Sequence, residues 1–137
     1  MPDIPVFSDD AFLSAFNDCS APPAAFNHTG HLRIAWIHLQ RYPQQQAIRL
    51  TCDGIARFAA HLGVPGKYHR TLSEALMRIM AQRGAADSGL AWEQFLERNR
   101  DLVDDARHLL GRHYSDALLN SDAARISFVP PDLLPLP

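Results

Sequence analysis

Residues 43–65 read PQQQAIRLTCDGIARFAAHLGVP, and Ala47, Ile48, Thr51, Ile55, Phe58, Ala59 and Leu62 recur in it at the three-and-four spacing of one helical face. Pro43 suits the first position of that helix, where its missing N–H would have no intrahelical partner anyway. Gly63 suits its end, where a left-handed residue closes the last turn, and Pro65 follows two positions later. The same period runs outward on both sides. Upstream, Ser8 caps a short helix with Asp9 and Asp10 in its positive first turn and Ala11, Phe12, Ala15 and Phe16 on one stripe, stopped by Ala21-Pro22-Pro23. A second helix runs from about Asn27 to Tyr42, with Leu32, Ala35, Trp36 and Leu39 on one face.

Downstream, a fourth helix ends near Arg83 and has two candidate starts. Thr71-Leu72-Ser73-Glu74 is a capping-box pattern that begins it at Thr71. His69, Leu72, Leu76 and Met80 also share a face, which begins it a turn earlier near Lys67. A small-residue loop at 84–89 leads to a shorter helix with Leu90, Trp92, Phe95 and Leu96, broken at Asn99-Arg100. Asp101 opens another, with Leu102, Val103, Ala106, Leu109, Leu110 and His113 inward, and Ser115 and Ser121 cap two short last helices. Four prolines in 129–137 exclude helix and predict an extended surface tail. No segment shows two-residue alternation. The expectation is all-α: a single domain, 1–137, forming one compact bundle of five to seven helices with antiparallel longer neighbours and a Pro-rich C-terminal tail.

Composition narrows the function classes. The 137 residues are 47% apolar and 20% charged, enough to bury a core without disulfides or a structural metal. Thirteen basic against fifteen acidic residues, with no charged block, argue against a nucleic-acid partner. No apolar run reaches membrane-spanning length, and the opening Met1-Pro2-Asp3-Ile4-Pro5 lacks the pattern of a signal peptide. Two cysteines, Cys19 and Cys52, are too few for a disulfide framework and fit a reducing cytoplasm. Lys67 is the only lysine among the thirteen basic residues and stands in Gly66-Lys67-Tyr68-His69.

The segment from Phe26 to Trp36 carries the clearest chemical pattern. His28 and His31 are about 60° apart on the helical wheel and share the sector of Leu32, Ala35 and Leu39, with Tyr42 in it and His38 near its edge. Two imidazoles at this spacing can converge on one metal ion or one proton-transfer site. His69, on the apolar side of its own helix, is the candidate third ligand, with His113 in reserve. The expected ion is a divalent transition metal, Zn, Fe or Cu. Lys67 and Tyr68 are the candidate catalytic residues, orienting an anionic or carbonyl group at the open coordination position. Beside this stand histidines satisfied within the core and a metal-free polar pocket with His69 as base. His61 and His108 fall on polar faces. Phe26, Trp36, Tyr42 and Tyr68 can wall a pocket or serve as core.

Other chemistries lack their residues. Three positions after Glu74, Glu93 and Glu97 stand Met77, Leu96 and Arg100, so the Glu-x-x-His pairs of a helical di-iron site are absent. Residues 63–68 miss the phosphate-loop spacing, with His61 where Gly and Tyr68 where Ser or Thr would be required. Asp101, Asp104 and Asp105 match the dipole at a helix start. Cys52 has no flanking His to activate it, and Lys67 would form a Schiff base only if burial lowered its pKa.

The segments Phe26-Asn27-His28 with His31-Leu32-Arg33-Ile34-Ala35-Trp36, Gly66-Lys67-Tyr68-His69-Arg70-Thr71, Tyr114-Ser115, and Ala124-Arg125 with Phe128 and Pro131-Asp132 resemble a family of small uncharacterised bacterial helical proteins. The likeness spans about residue 26 to the C-terminus. It implies interest in His28, His31 and His69 and weighs against His113, whose position in that family more often resembles Tyr; it implies no reaction. The leading expectation is thus a small cytoplasmic helical metalloprotein, a metal-dependent enzyme on a small molecule. The alternative is a non-enzymatic interaction or small-ligand-binding module with structural histidines, whose Pro-rich tail docks a partner; that tail can equally lie in a groove of its own domain or of a neighbouring subunit of a homo-oligomer.

Overall fold

The computed structural model describes residues 8–25, 27–87 and 89–137; for Ala25 only the backbone is described. The expectations resting on Phe26 and on residues 1–5 lie outside these. Among the described residues the fold is all-α, with no strand and nine α-helices, five of them seven residues or longer. The five are α1 (Asp9–Asn17), α2 (His28–Arg41), α3 (Gln44–His61), α4 (Arg70–Gln82) and α5 (Trp92–Arg98). Four short ones follow: α6 (Arg100–Asp104), α7 (Ala106–Gly111), α8 (Asp116–Leu119) and α9 (Asp122–Ile126). None of them is long and apolar enough to cross a membrane.

Helix starts follow the capping chemistry. Ser8 Oγ accepts from Ala11 N, Asn27 Oδ1 from Gly30 N, and the Ser115 and Ser121 hydroxyls from Leu118 N and Ala124 N. α3 ends as its sequence requires. Gly63 takes φ +78°, which lets its N–H reach the Ala60 carbonyl and the Val64 N–H reach that of Ala59, the two bonds of a Schellman closure.

α2 is central. Leu32, Ile34, Ala35, Ile37 and Leu39 are all buried, a wrap-around burial broader than the single face read from its periodicity. α1 is pinned to it by two ion pairs, Asp9 with Arg33 and Asp10 with Arg41. α3 runs back along α2 after the Tyr42-Pro43 connection, and its stripe of Ala47, Ile48, Thr51, Ile55 and Phe58 is buried as expected. Phe16 of α1 stacks on Phe58 at 6.2 Å. That approach needs the missing side chain of Gly54, since a Cβ there would run into the Phe16 ring.

Several boundaries depart from the expectation: Pro43 is the N-cap of α3 rather than its first residue, and Arg100, read as part of a break, opens α6. α4 starts neither at Thr71 nor near Lys67: His69 is its N-cap, with Nδ1 accepting from Leu72 N at 3.1 Å. Thr71 Oγ1 instead donates to the Ser127 carbonyl and accepts from Val129 N. The expected helix from Asp101 to His113 is split at Asp105, whose φ −145° and ψ 32° leave helical geometry. The ordered end of the chain packs against the bundle. Tyr114 donates its hydroxyl proton to the Val129 carbonyl, Asp132 accepts from Ser115 N and Oγ, and Leu133 N and Leu134 N donate to the carbonyls of His113 and Arg112. Beneath it Glu74, 6% exposed, accepts from Arg70 and Arg78 one turn away on either side.

Candidate functional site

The packing of α2 and α3 against the turn at Pro65–Lys67 leaves a cleft of about 190 Å³. α3 supplies an apolar wall through Ile55, Phe58, Ala59 and Leu62, and His31, Lys67 and Tyr68 bring polar atoms to it. A smaller hollow of about 40 Å³ shares His31 and Ile55 with the cleft as lining residues and is walled by α2, α3 and α4, with His28, Thr51, Ser73 and Met77 among its lining. A third hollow, about 340 Å³, shares His28 and Leu72 with the smaller one and meets Asp104, Asp105 and Arg107. His31 thus lines both the cleft and the small hollow, and His28, one helical turn away, lines both the small hollow and the third.

Local structure explains this placement. The Asn27 cap makes His28 the first residue of α2, so His31 falls on the same side at the end of the first turn. The Gly63 closure and the turn after it fold Lys67 and Tyr68 back against α3. Arg125 of α9 holds that turn by donating to the Gly66 carbonyl at 2.6 Å.

The groups at the cleft have distinct proton affinities. Burial, with a lesser push from neighbouring His28, drives His31 down from 6.5 to about 4, so its imidazole is neutral at pH 7. Burial pushes the Tyr68 phenol well above its ordinary value, and the Cys52 thiol beside it adds to the shift; Tyr68 keeps its proton, and its hydroxyl is hydrogen-bonded to the Cys52 thiol and to Arg70. The Cys52 thiol is itself raised by burial, in keeping with an unreactive cysteine. Lys67 is exposed, so the burial that Schiff-base chemistry would need is missing. Among the described residues lining the cleft there is no carboxylate, and Lys67 is the one permanent charge.

The metal centre expected from His28, His31 and His69 does not assemble. Among the described residues no group of three His, Cys, Asp or Glu side chains is placed to hold a metal ion. The physical reason lies first in His69. Its Nδ1 lone pair accepts from Leu72 N, and its Nε2–H donates to the Leu119 carbonyl at 2.7 Å. Both ring nitrogens serve the fold, which leaves none for a metal and none for the alternative role of base. His28 donates through Nε2 to the Leu102 carbonyl at 2.8 Å, beside the break between α6 and α7. His28 and His31 do share the smaller hollow, but His69 does not line it. The leading expectation of a metal-dependent enzyme at this centre is accordingly corrected.

The remaining candidates are dispersed. His113, the reserve ligand, has Nδ1 on the Leu134 carbonyl at 3.0 Å. His38 is buried, not marginal, and its Nδ1 lies 2.7 Å from Thr51 Oγ1; burial, with Arg41 nearby, lowers it to about 4. His61 and His108 are exposed, as read. Asp101 forms a two-pronged ion pair with Arg83. Of the four aromatics, Tyr68 lines the cleft, Trp36 is buried against Trp92, and Tyr42 is exposed. The apolar wall from α3 and the contributions of Thr51 and Ser73 were missed. The α3 stripe looks the same whether it packs on protein or faces a cleft, so its period held no signal of the difference.

No protein-family model matches the chain, and comparisons with curated proteins and with solved structures likewise return no match.

Proposed function

We propose that this protein binds a small, mainly apolar molecule carrying one hydrogen-bond-accepting or anionic group, in the cleft beside His31. The observation behind this reading is a cleft lined by His31, Lys67 and Tyr68 together with the apolar wall formed by α3. Binding sites for small molecules combine such walls with a few orienting polar groups. At about 190 Å³ the cleft is below the usual range for drug-sized ligands, roughly 300–1,000 Å³, so the ligand is small. The ammonium of Lys67 favours an accepting or anionic group. A neutral imidazole can donate or accept according to its tautomer. Both cysteines are unpaired, which fits a cytoplasmic protein, and the resemblance of the His28–Trp36 and Gly66–Thr71 segments to small bacterial helical proteins belongs to the same proposal.

Saturation-transfer NMR with a mixture of small carboxylates, alcohols and amides tests the reading. Bound fragments should shift the His31 ring resonances, and Ala59→Phe, which fills the cleft from a half-buried position, should abolish both effects in a folded protein. Fragments that leave His31 unmoved, or bind Ala59→Phe equally well, would refute it.

A further inference from the structure

Building on the cleft reading, we infer that Arg125 of α9 is a positioning residue of the cleft: by holding the Gly66 carbonyl it sets where Lys67 stands. Lys67 is the last residue of the single turn Pro65–Lys67, all three residues of which are exposed. The backbone bonds of this turn run from Lys67 N to the Val64 carbonyl at 3.0 Å and from Tyr68 N to the Pro65 carbonyl at 3.2 Å. Both begin and end within five residues, so they shape the turn without fixing it on the bundle. The chain is anchored on either side, at Val64 by the closure of α3 and at Tyr68 by the bonds of its hydroxyl to Cys52 and Arg70. Between these anchors stands Gly66. It has no left-handed φ, and a Cβ there would meet nothing within 4 Å, so neither conformation nor crowding calls for glycine. Its backbone freedom loosens the turn, and a hold from outside offsets that.

Arg125 supplies the hold. Its Nη1 donates to the Gly66 carbonyl at 2.6 Å, across fifty-nine residues of sequence, and that carbonyl belongs to the peptide bond carrying the Lys67 nitrogen. Hydrogen bonds from a charged donor are shorter and stronger than neutral ones. α9 is a firm base for it. Ala124 is fully buried, Thr71 Oγ1 donates to the Ser127 carbonyl, and the Arg78 guanidinium lies 4.5 Å over the Phe128 ring. Arg125 itself is exposed and does not line the cleft, so its loss leaves the α3 wall untouched.

Amide hydrogen exchange on the full chain tests this in Arg125→Ala, Arg125→Lys and the double variant Gly66→Ala/Arg125→Ala. In Arg125→Ala the Lys67 and Tyr68 amides should exchange about tenfold faster, with α2, α3 and the urea midpoint unchanged. Arg125→Lys keeps a charged donor and should restore most of the protection. The double variant should restore part of it, because alanine stiffens a turn it fits without strain. NMR titrations with benzoate and benzyl alcohol, followed at the His31 ring, read the consequence for binding. Arg125→Ala should weaken benzoate about threefold and leave benzyl alcohol unchanged. The double variant should regain part of that affinity although it lacks the Arg125 charge, which separates positioning from simple attraction. Unaltered exchange in Arg125→Ala, faster exchange spread over the whole chain, or no recovery in the double variant would overturn the inference. If neither probe moves His31 in the unaltered protein while Arg125→Ala still frees the turn, the cleft reading falls and the hold of Arg125 on Lys67 stands.

Discussion

Two histidines of α2, His31 and His38, are neutral in the folded protein for the same reason, and this makes its stability acid-sensitive in a defined window. Burial holds both near pH 4 instead of 6.5. Below 6.5 the unfolded chain takes up protons that the folded one refuses, so the contribution of each is complete above pH 6.5. It erodes as pH falls toward 4 and does not fall further below that. At roughly 1.4 kcal/mol per pH unit of separation between the two states, His38, 4% exposed, contributes on the order of 3 kcal/mol. His31, shifted by the same amount, contributes a comparable share. This is a large share of the net stability of a small domain, about 5–15 kcal/mol. Urea unfolding followed by circular dichroism at pH 7.5, 6.5, 5.5 and 4.5 should show a midpoint that holds between the first two and then drops steadily. His38→Asn, whose side-chain amide can still reach Thr51 Oγ1, should remove about half of that slope. A midpoint that does not change from pH 6.5 to 4.5, or a slope unaltered in His38→Asn, would refute the argument.

Three further outcomes follow from the packing. Gly54→Ala gains helix propensity of about 1 kcal/mol but drives a methyl into the Phe16 ring; overpacking of roughly 1–3 kcal/mol should win, and thermal melts would show a lower midpoint. His69→Ala should destabilise by about 1 kcal/mol more than His69→Asn, since Asn keeps a cap for the Leu72 N–H, and equal midpoints in urea would count against the cap. Glu74→Ala leaves Arg70 and Arg78 facing each other across a buried gap and should cost about 2–4 kcal/mol by urea unfolding.

Legibility in the sequence followed the range of the interactions involved. The α3 helix, from Pro43 to the Gly63 closure, was readable because a stripe, a starting proline and a terminal glycine are local facts of adjacent residues. The Ser8, Ser115 and Ser121 caps were readable for the same reason. His69 shows the opposite case. Its position before the helix was narrowed to one turn, but its use was decided by Leu72 N, three residues on, and the Leu119 carbonyl, fifty residues on. An imidazole with two committed nitrogens looks the same in sequence as one with two free nitrogens. His38 was placed at the edge of a face because a wheel assumes one buried side, whereas α1, α3 and α4 all pack on α2.

By itself, then, the sequence determined the all-α class, the order of the longer helices, most of their caps, and Lys67 and Tyr68 as a polar pair beside a turn. These depend on periodicity and on backbone groups within a few residues of one another. Tertiary structure alone decided that His28 and His69 are tied to distant carbonyls, that α3 turns part of its apolar stripe toward a cleft, and that His31 lines both that cleft and the smaller hollow. Each of those depends on which surfaces meet across the bundle, and side-chain burial and hydrogen-bond partners are set only when they do.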